Sequence, residues 1–174
     1  MSAQLTGFPT LKPAFVIKAN IGAVSPVGLI HTGSTSLHFE VTSGTIETVP
    51  GFEPAFKAEV KFAADWFTID HDKKNGRVDI RCIAKTAEGH AIDLRSQGVI
   101  ELAPPMAKIF SMDPEMKTTP FGYTTAWATM TVADPALKSL ESSTFVGNSR
   151  IIVAETGITI EVRQSLVVPS TVDE

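Results

Sequence analysis

Apolar and polar side chains alternate along most of the chain, the period of a strand with one buried face, and sustained helical periodicity is nearly absent. Ala14 to Ile21 sets Phe15, Ile17, Ala19 and Ile21 on one face, and Ser36 to Thr42 sets Leu37, Phe39 and Val41 opposite His38 and Glu40. Ala55 to Ile69 reads as one long strand or as two joined at a bulge. Arg77 to Lys85 turns Val78, Ile80, Cys82 and Ala84 away from Asp79 and Arg81. His90 to Leu102, Gly122 to Val132, Phe145 to Ala154 and Ile158 to Val168 complete the series. Asn75-Gly76 predicts a type I′ hairpin, because both residues tolerate positive φ. Glu88-Gly89 and Thr156-Gly157 predict two further turns. One helix is predicted, with Asp134 as cap, Pro135 at the first position and Ala136 to Ser142 continuing for about two turns. Pro104-Pro105 and Pro114 break the middle of the chain, where a short irregular or helical insert fits.

Strands at this spacing suit a barrel or a sandwich. The expected fold is all-β: a closed, mainly antiparallel barrel of about eight strands with one short helix. A chain of 174 residues fits a single domain with a sizeable core. That domain spans residues 1–174, with tails at about 1–9 and 169–174.

Composition narrows the function classes. Residues are 43% hydrophobic and 20% charged, with a net charge of −4, and no basic run exceeds Lys73-Lys74. Nucleic acid, which needs a concentrated basic face, is not an expected partner. The single cysteine, Cys82, excludes an internal disulfide and an all-cysteine zinc site and agrees with a reducing compartment. Met1 to Pro13 shows no charged leader followed by an apolar run, and no stretch approaches the ~20 apolar residues of a membrane helix. A cytoplasmic protein with no membrane partner is expected, and a homodimer through exposed strands or loops is compatible with it.

A set of short motifs carries a resemblance. In order they are Ser43-Gly44-Thr45-Ile46-Glu47, Ala64-Asp65-Trp66, Asp79-Ile80-Arg81, Glu88-Gly89-His90-Ala91-Ile92, Thr118-Thr119-Pro120 and Phe145-Val146-Gly147. From about Leu11 to Val168 the chain resembles a domain family of unknown function found in bacteria and in fungal metabolite gene clusters. Its members look like closed eight-stranded barrels similar to allene oxide cyclase. Two departures stand out: the family's two glycines before Ala-Asp-Trp are Phe62 and Ala63 here, and its tyrosine after Asp-x-Arg is Cys82. Both point to a pocket reshaped for a particular ligand.

Asp65 is the leading candidate for chemistry. On an unbroken strand it shares a face with Glu59 and Lys61; a bulge near Ala63-Ala64 would reverse that parity and turn it inward. A carboxylate inside an apolar barrel has its pKa raised by desolvation, which suits a general acid or base near neutral pH. The alternative is a surface aspartate beside a core tryptophan. Arg81 could pair with Asp65 or hold a ligand oxygen, or it could belong, with Asp79, to a solvated face. Tyr123 could donate a proton or a hydrogen bond, or sit half-buried at the rim. Trp66, Trp127, His38 and Gln97 are substrate-binding candidates, against outer-face positions for Gln97 with Asp93 and Arg95, and core packing for the tryptophans. Glu161 and Arg163 form one more polar stripe. His38 and Glu40 could begin a metal site, but His31, His71 and His90 fall at unrelated spacings, so no metal is expected. Cys82, among apolar neighbours, reads as a buried thiol. Phosphate loops, dinucleotide fingerprints, nucleophile elbows and His-Glu-x-x-His are absent, so no cofactor is expected.

The expected function is a cofactor-free enzyme catalysing a cyclisation, isomerisation, dehydration or pericyclic step. Its substrate is a small hydrophobic or polyketide- or terpenoid-like metabolite held in an apolar barrel cavity. The alternatives are a non-catalytic barrel binding the same kind of ligand and a structural module whose barrel is filled by its own side chains.

Overall fold

The computed structural model describes residues 6–170, so the expected tails fall mostly outside the described residues. The alternating segments form eight strands: β1 (Thr10–Leu29), β2 (Thr35–Thr48), β3 (Lys57–Ile69), β4 (Asn75–Thr86), β5 (Ala91–Glu101), β6 (Thr124–Val132), β7 (Phe145–Ala154) and β8 (Gly157–Val168). Each pairs antiparallel with its neighbour in sequence, and β8 returns to β1. Closure pairs every strand on both sides, β6 and β7 only over a short stretch.

The register determines how wide the barrel is. Followed from Val24 on β1, successive cross-strand partners are Phe39, Asp65, Ile80, Ser96, Ala128, Phe145 and Leu166, and the path re-enters β1 at Lys12. One circuit therefore slips by twelve residues. With strands about 4.7 Å apart and a rise of about 3.3 Å per residue, that stagger tilts the strands by about 45° and sets a backbone radius of about 9 Å. Eight-stranded barrels staggered by about eight residues are narrower and fill with side chains.

Two separate apolar clusters plug the two ends. At one end Phe15, Ile46, Leu94, Met130 and Phe145 pack with Phe52 and Phe56 from the β2–β3 connection and with Leu137 and Leu140. At the other, Phe67, Ile100 and Ile151 pack with Met106, Ile109 and Phe110 of α1 (Pro104–Phe110), the one α-helix among the described residues. Phe67 and Phe110 stack with ring centres 5.0 Å apart. Between the plugs, inward-facing Ala19, Val41, Ile80, Ile160 and Val162 are only half-buried, although their cross-strand partners Ala63, Asp65, Ser149 and Ile151 are buried. The partial exposure of these inward side chains sets the middle of the barrel apart from its two tightly packed ends.

The barrel wall is thinnest between β6 and β7, which pair only over 126–128 and 145–147. The segment before β6 fills the gap. Thr119 donates its N–H to the Ile151 carbonyl at 2.9 Å, and its hydroxyl accepts the Ile151 N–H at 3.0 Å. Phe121 is held beneath two guanidinium groups, Arg163 at 4.7 Å and Arg150 at 5.1 Å. Both arginines bind the buried Glu161 carboxylate, at 2.9 and 2.7 Å. The hydrogen bond from Arg150 is the main reason the Glu161 pKa lies below the ordinary value.

Two local expectations are corrected. Asn75-Gly76 is not a turn: both residues belong to β4, and the chain reverses at Asp70–Lys73, where Lys73 takes positive φ and donates to the Asp70 carbonyl. Gly76 serves packing instead, because a Cβ there would run into the Phe67 ring and approach Ile100 to 2.8 Å. The predicted Pro135–Ser142 helix forms with Asp134 accepting from the Ala136 N–H at 2.9 Å, but as a 3-10 helix. Since Phe67 is pinned between Gly76 and Phe110, Gly76→Ala should cost about 1–3 kcal/mol by overpacking. Urea unfolding should show this as a lower midpoint with an unchanged slope.

Candidate active site

Asp65 faces into the barrel because β3 changes parity. Ala58 and Val60 pack against the first plug, the β3–β4 register slips between Val60 and Phe62, and Ala63, Asp65 and Phe67 then take the inward face. The slip lies a few residues before the Ala63-Ala64 position expected for a bulge. The β3–β4 ladder has no paired residues between Asp65–Ile80 and Thr68–Arg77. Within that gap Oδ1 of Asp65 accepts the Asp79 N–H at 2.9 Å. Among the described residues the carboxyl makes no other hydrogen bond and no ion pair, and Asp65 is 9% exposed. Burial pushes its pKa up to about 7; the Asp79 N–H opposes the rise and the Asp79 charge adds to it. At neutral pH the group is present in both protonation states, so it can give or take a proton.

The other candidates do not join it. Arg81 lies one residue beyond Ile80, the partner of Asp65, so strand alternation puts its side chain on the outer wall. There it stacks over Trp66 at 5.4 Å and lies 4.0 Å from the Asp79 carboxylate. Trp66 is itself outward and 43% exposed, with His38 packed edge-on at 5.0 Å. Gln97 and Trp127 are cross-strand partners on the same outer face, Trp127 being 45% exposed. The expected interior placement of Arg81, Trp66, Trp127, His38 and Gln97 is therefore corrected: all five lie on the solvent side of the strands. They gather there into a belt, His38 pairing with Trp66, Asp79 with Gln97 and Gln97 with Trp127. Shallow depressions of about 440 and 590 Å³ flank Trp127 and His38 respectively. Tyr123 is half-buried and packs against the plug that contains Phe67 and Ile100.

Several buried polar residues escaped the sequence reading. Ser96, Thr124, Ser149 and Gln164 are all buried. Gln164 lies on the face of β8 that carries Ile160, Val162 and Leu166, and this interruption of an apolar stripe was the signal that could have found it. Ser96 donates to the Trp127 carbonyl at 3.0 Å. Among the described residues no group of three or more His, Cys, Asp or Glu gathers to hold a metal ion. Cys82 is buried, and burial, helped by the Asp93 charge, pushes its pKa up to about 11, so it is a thiol at neutral pH.

Residues 9–167 match a family described as a protein of unknown function. No curated protein matches the chain. Among solved structures, a conserved protein of unknown function from Rhodopseudomonas palustris superimposes with a TM-score of 0.73 at 20% identity, covering 94% of this chain and 100% of that one. A β-barrel-like protein from Acinetobacter baumannii gives 0.69 at 15% identity, covering 96% and 99%. A structure described as an enzyme from Penicillium herquei gives 0.60 at 16% identity, covering 95% and 99%. At these identities the likeness is one of fold. Among the described residues no helix is long and apolar enough to cross a membrane.

The Asp65 pKa has a consequence for stability. The folded value, about 7, lies above the ordinary 3.8, so the native state holds a proton that the unfolded chain releases. Stability should therefore fall as pH rises from about 4 to about 7 and level off above that. Asp65→Asn, which still accepts the Asp79 N–H, should be more stable than wild type at pH 8 by up to about 4 kcal/mol. That gain should vanish near pH 4, as read by denaturant titration at the two pH values.

Proposed function

The chain belongs to the DUF3237 family of proteins of unknown function, and on that footing we propose that it is a cofactor-independent enzyme of small-molecule metabolism that takes its substrate into a chamber in the less tightly packed middle of the barrel, between the two plugs. Asp65 carries this reading. It is a carboxyl buried in an apolar interior without a counter-charge, its pKa near 7, and with only one hydrogen bond already made. Structural carboxylates ordinarily reach a cation or several donors, as Glu161 does in the same barrel. A perturbed acid facing a chamber is the arrangement expected of a proton-transfer site.

The substrate class follows from the walls. Ala19, Val41, Ile80, Ile160 and Val162 offer shape and no charge, which suits a hydrophobic polyketide- or terpenoid-like molecule. Such walls hold a flexible substrate in a reactive fold, while Asp65 takes a proton from one atom and returns one to another. The balance is redox-neutral, which covers cyclisation, isomerisation and dehydration; in a pericyclic step Asp65 would instead donate a hydrogen bond to the developing charge. The description of the Penicillium herquei neighbour as an enzyme supports catalysis over carriage. Fold likeness carries no reaction with it.

The experiment is a turnover assay on a panel of polyketide- and terpenoid-derived alcohols and enones. For any compound converted, kcat/KM should follow a single ionisation near pH 7, and Asp65→Asn should lower turnover by about 10²–10⁴-fold while binding is retained. An Asp65→Asn variant that turns over normally refutes the assignment. Tight binding of these compounds without any conversion would make the protein a non-catalytic carrier.

A further inference from the structure

The outer wall of β3–β6 carries apolar surface that nothing in the barrel covers. Phe62 is 60% exposed, Trp127 45%, Trp66 43% and Val99 36%, and all four lie on these contiguous strands. Exposed apolar side chains gathered on one side of a molecule mark a contact surface. The charges among them are loosely held. Arg81 and Arg95 are cross-strand partners on this wall, 4.0 Å from Asp79 and 3.5 Å from Asp93 respectively. The other ion pairs among the described residues measure 2.7–3.1 Å.

Two neighbouring rows of outward side chains cross these strands and β2. One runs His38, Trp66, Asp79, Gln97, Trp127; the other, two residues along each strand, runs Glu40, Ala64, Arg81, Arg95, Thr129. A two-fold axis lying in the surface between the rows sets each row of one copy on the opposite row of a second copy. His38 then meets Glu40, Asp79 meets Arg81, and the Gln97 carbonyl meets the Arg95 guanidinium. The bulky Trp66 and Trp127 meet the small Ala64 and Thr129. Each contact occurs twice, as a two-fold requires. The strands of the two walls run antiparallel, close to the alignment that packed sheets adopt. Trp66 and Trp127 flank β4 and β5, where two convex walls part and large side chains are needed to bridge them.

Charge and size favour a second copy over another partner. The two rows hold two carboxylates and two guanidinium groups, so one copy meets another without net repulsion although the chain carries −4. A uniformly acidic or basic partner would oppose half of these groups. With Phe62 and Val99 at their flanks, the rows offer about 700 Å² per protomer, near the ~800 Å² that each side of a stable interface buries.

We propose that the outer wall of β3–β6 is a homodimer interface, closed by a two-fold axis between the His38–Trp127 and Glu40–Thr129 rows.

Sedimentation velocity and light scattering, at protein concentrations up to about 100 μM, test this. Wild type should run at twice the chain mass, and so should the control Phe8→Ser, which removes an exposed apolar side chain elsewhere. Asp79→Arg and Arg81→Glu each set like charges against each other twice and should each run as monomers. Mixed in equal amounts they should recover the dimer, because every acidic position again faces a basic one. Trp127→Ser leaves these charges untouched and should weaken association at least about tenfold; it carries the test if a charge variant does not fold. Monomeric wild type overturns the proposal. So does a dimer that survives Trp127→Ser unchanged, or a mixture of two folded charge variants that stays monomeric.

Discussion

Eight strands closed with a twelve-residue stagger make a barrel wider than the common eight-residue stagger gives, and the rest of the molecule follows from how that width is filled. The ends are sealed by elements outside the sheet: α1 with Met106, Ile109 and Phe110 at one end, and the β2–β3 connection with Leu137 and Leu140 at the other. Sealing both ends and leaving the middle less filled produces a low-dielectric compartment. A carboxyl turned into that compartment cannot ionise cheaply, which is why Asp65 titrates far above an exposed aspartate.

The wall and the compartment divide the polar residues between them. Outside, charges meet opposite charges or aromatic faces: Arg81 over Trp66, and Arg150 and Arg163 around Glu161 and Phe121. These arginines, aromatic rings and the Glu161 carboxylate each have a partner that accounts for them. Inside, Asp65 makes one hydrogen bond and the Gln164 amide makes none. Unsatisfied polar groups in a core are costly to keep, so the contrast between the two faces is what favours the interior for the proposed activity.

Much of the fold was legible because the strand period is strong. Phe145 to Ala154 was placed residue for residue, and the Asp134 cap was readable from its Pro135 neighbour. The missing parts have physical causes. Asn75-Gly76 carries a turn signature, yet Gly76 is needed under Phe67, a long-range contact that no local pattern reveals. Alternation identifies two faces of a strand but not which is inward, so Arg81, Trp66, Trp127, His38 and Gln97 read as candidates for an interior site although they lie on the outer wall, and their meeting there depends on cross-strand register that the pattern does not reveal. Asp65 was the exception because a parity change was anticipated, although its position, between Val60 and Phe62, was not. Gln164 was readable as a polar break in an apolar stripe and was passed over for the charged pair Glu161 and Arg163.

One carboxyl, that of Asp65, is held in the barrel interior and titrates near neutrality. Carbon-13 NMR of the aspartate side-chain carboxyls, with Asp65 assigned by its loss in Asp65→Asn, follows that ionisation directly. The expected titration midpoint for Asp65 is near pH 7. A midpoint near 4, the value of a solvated aspartate, would contradict it.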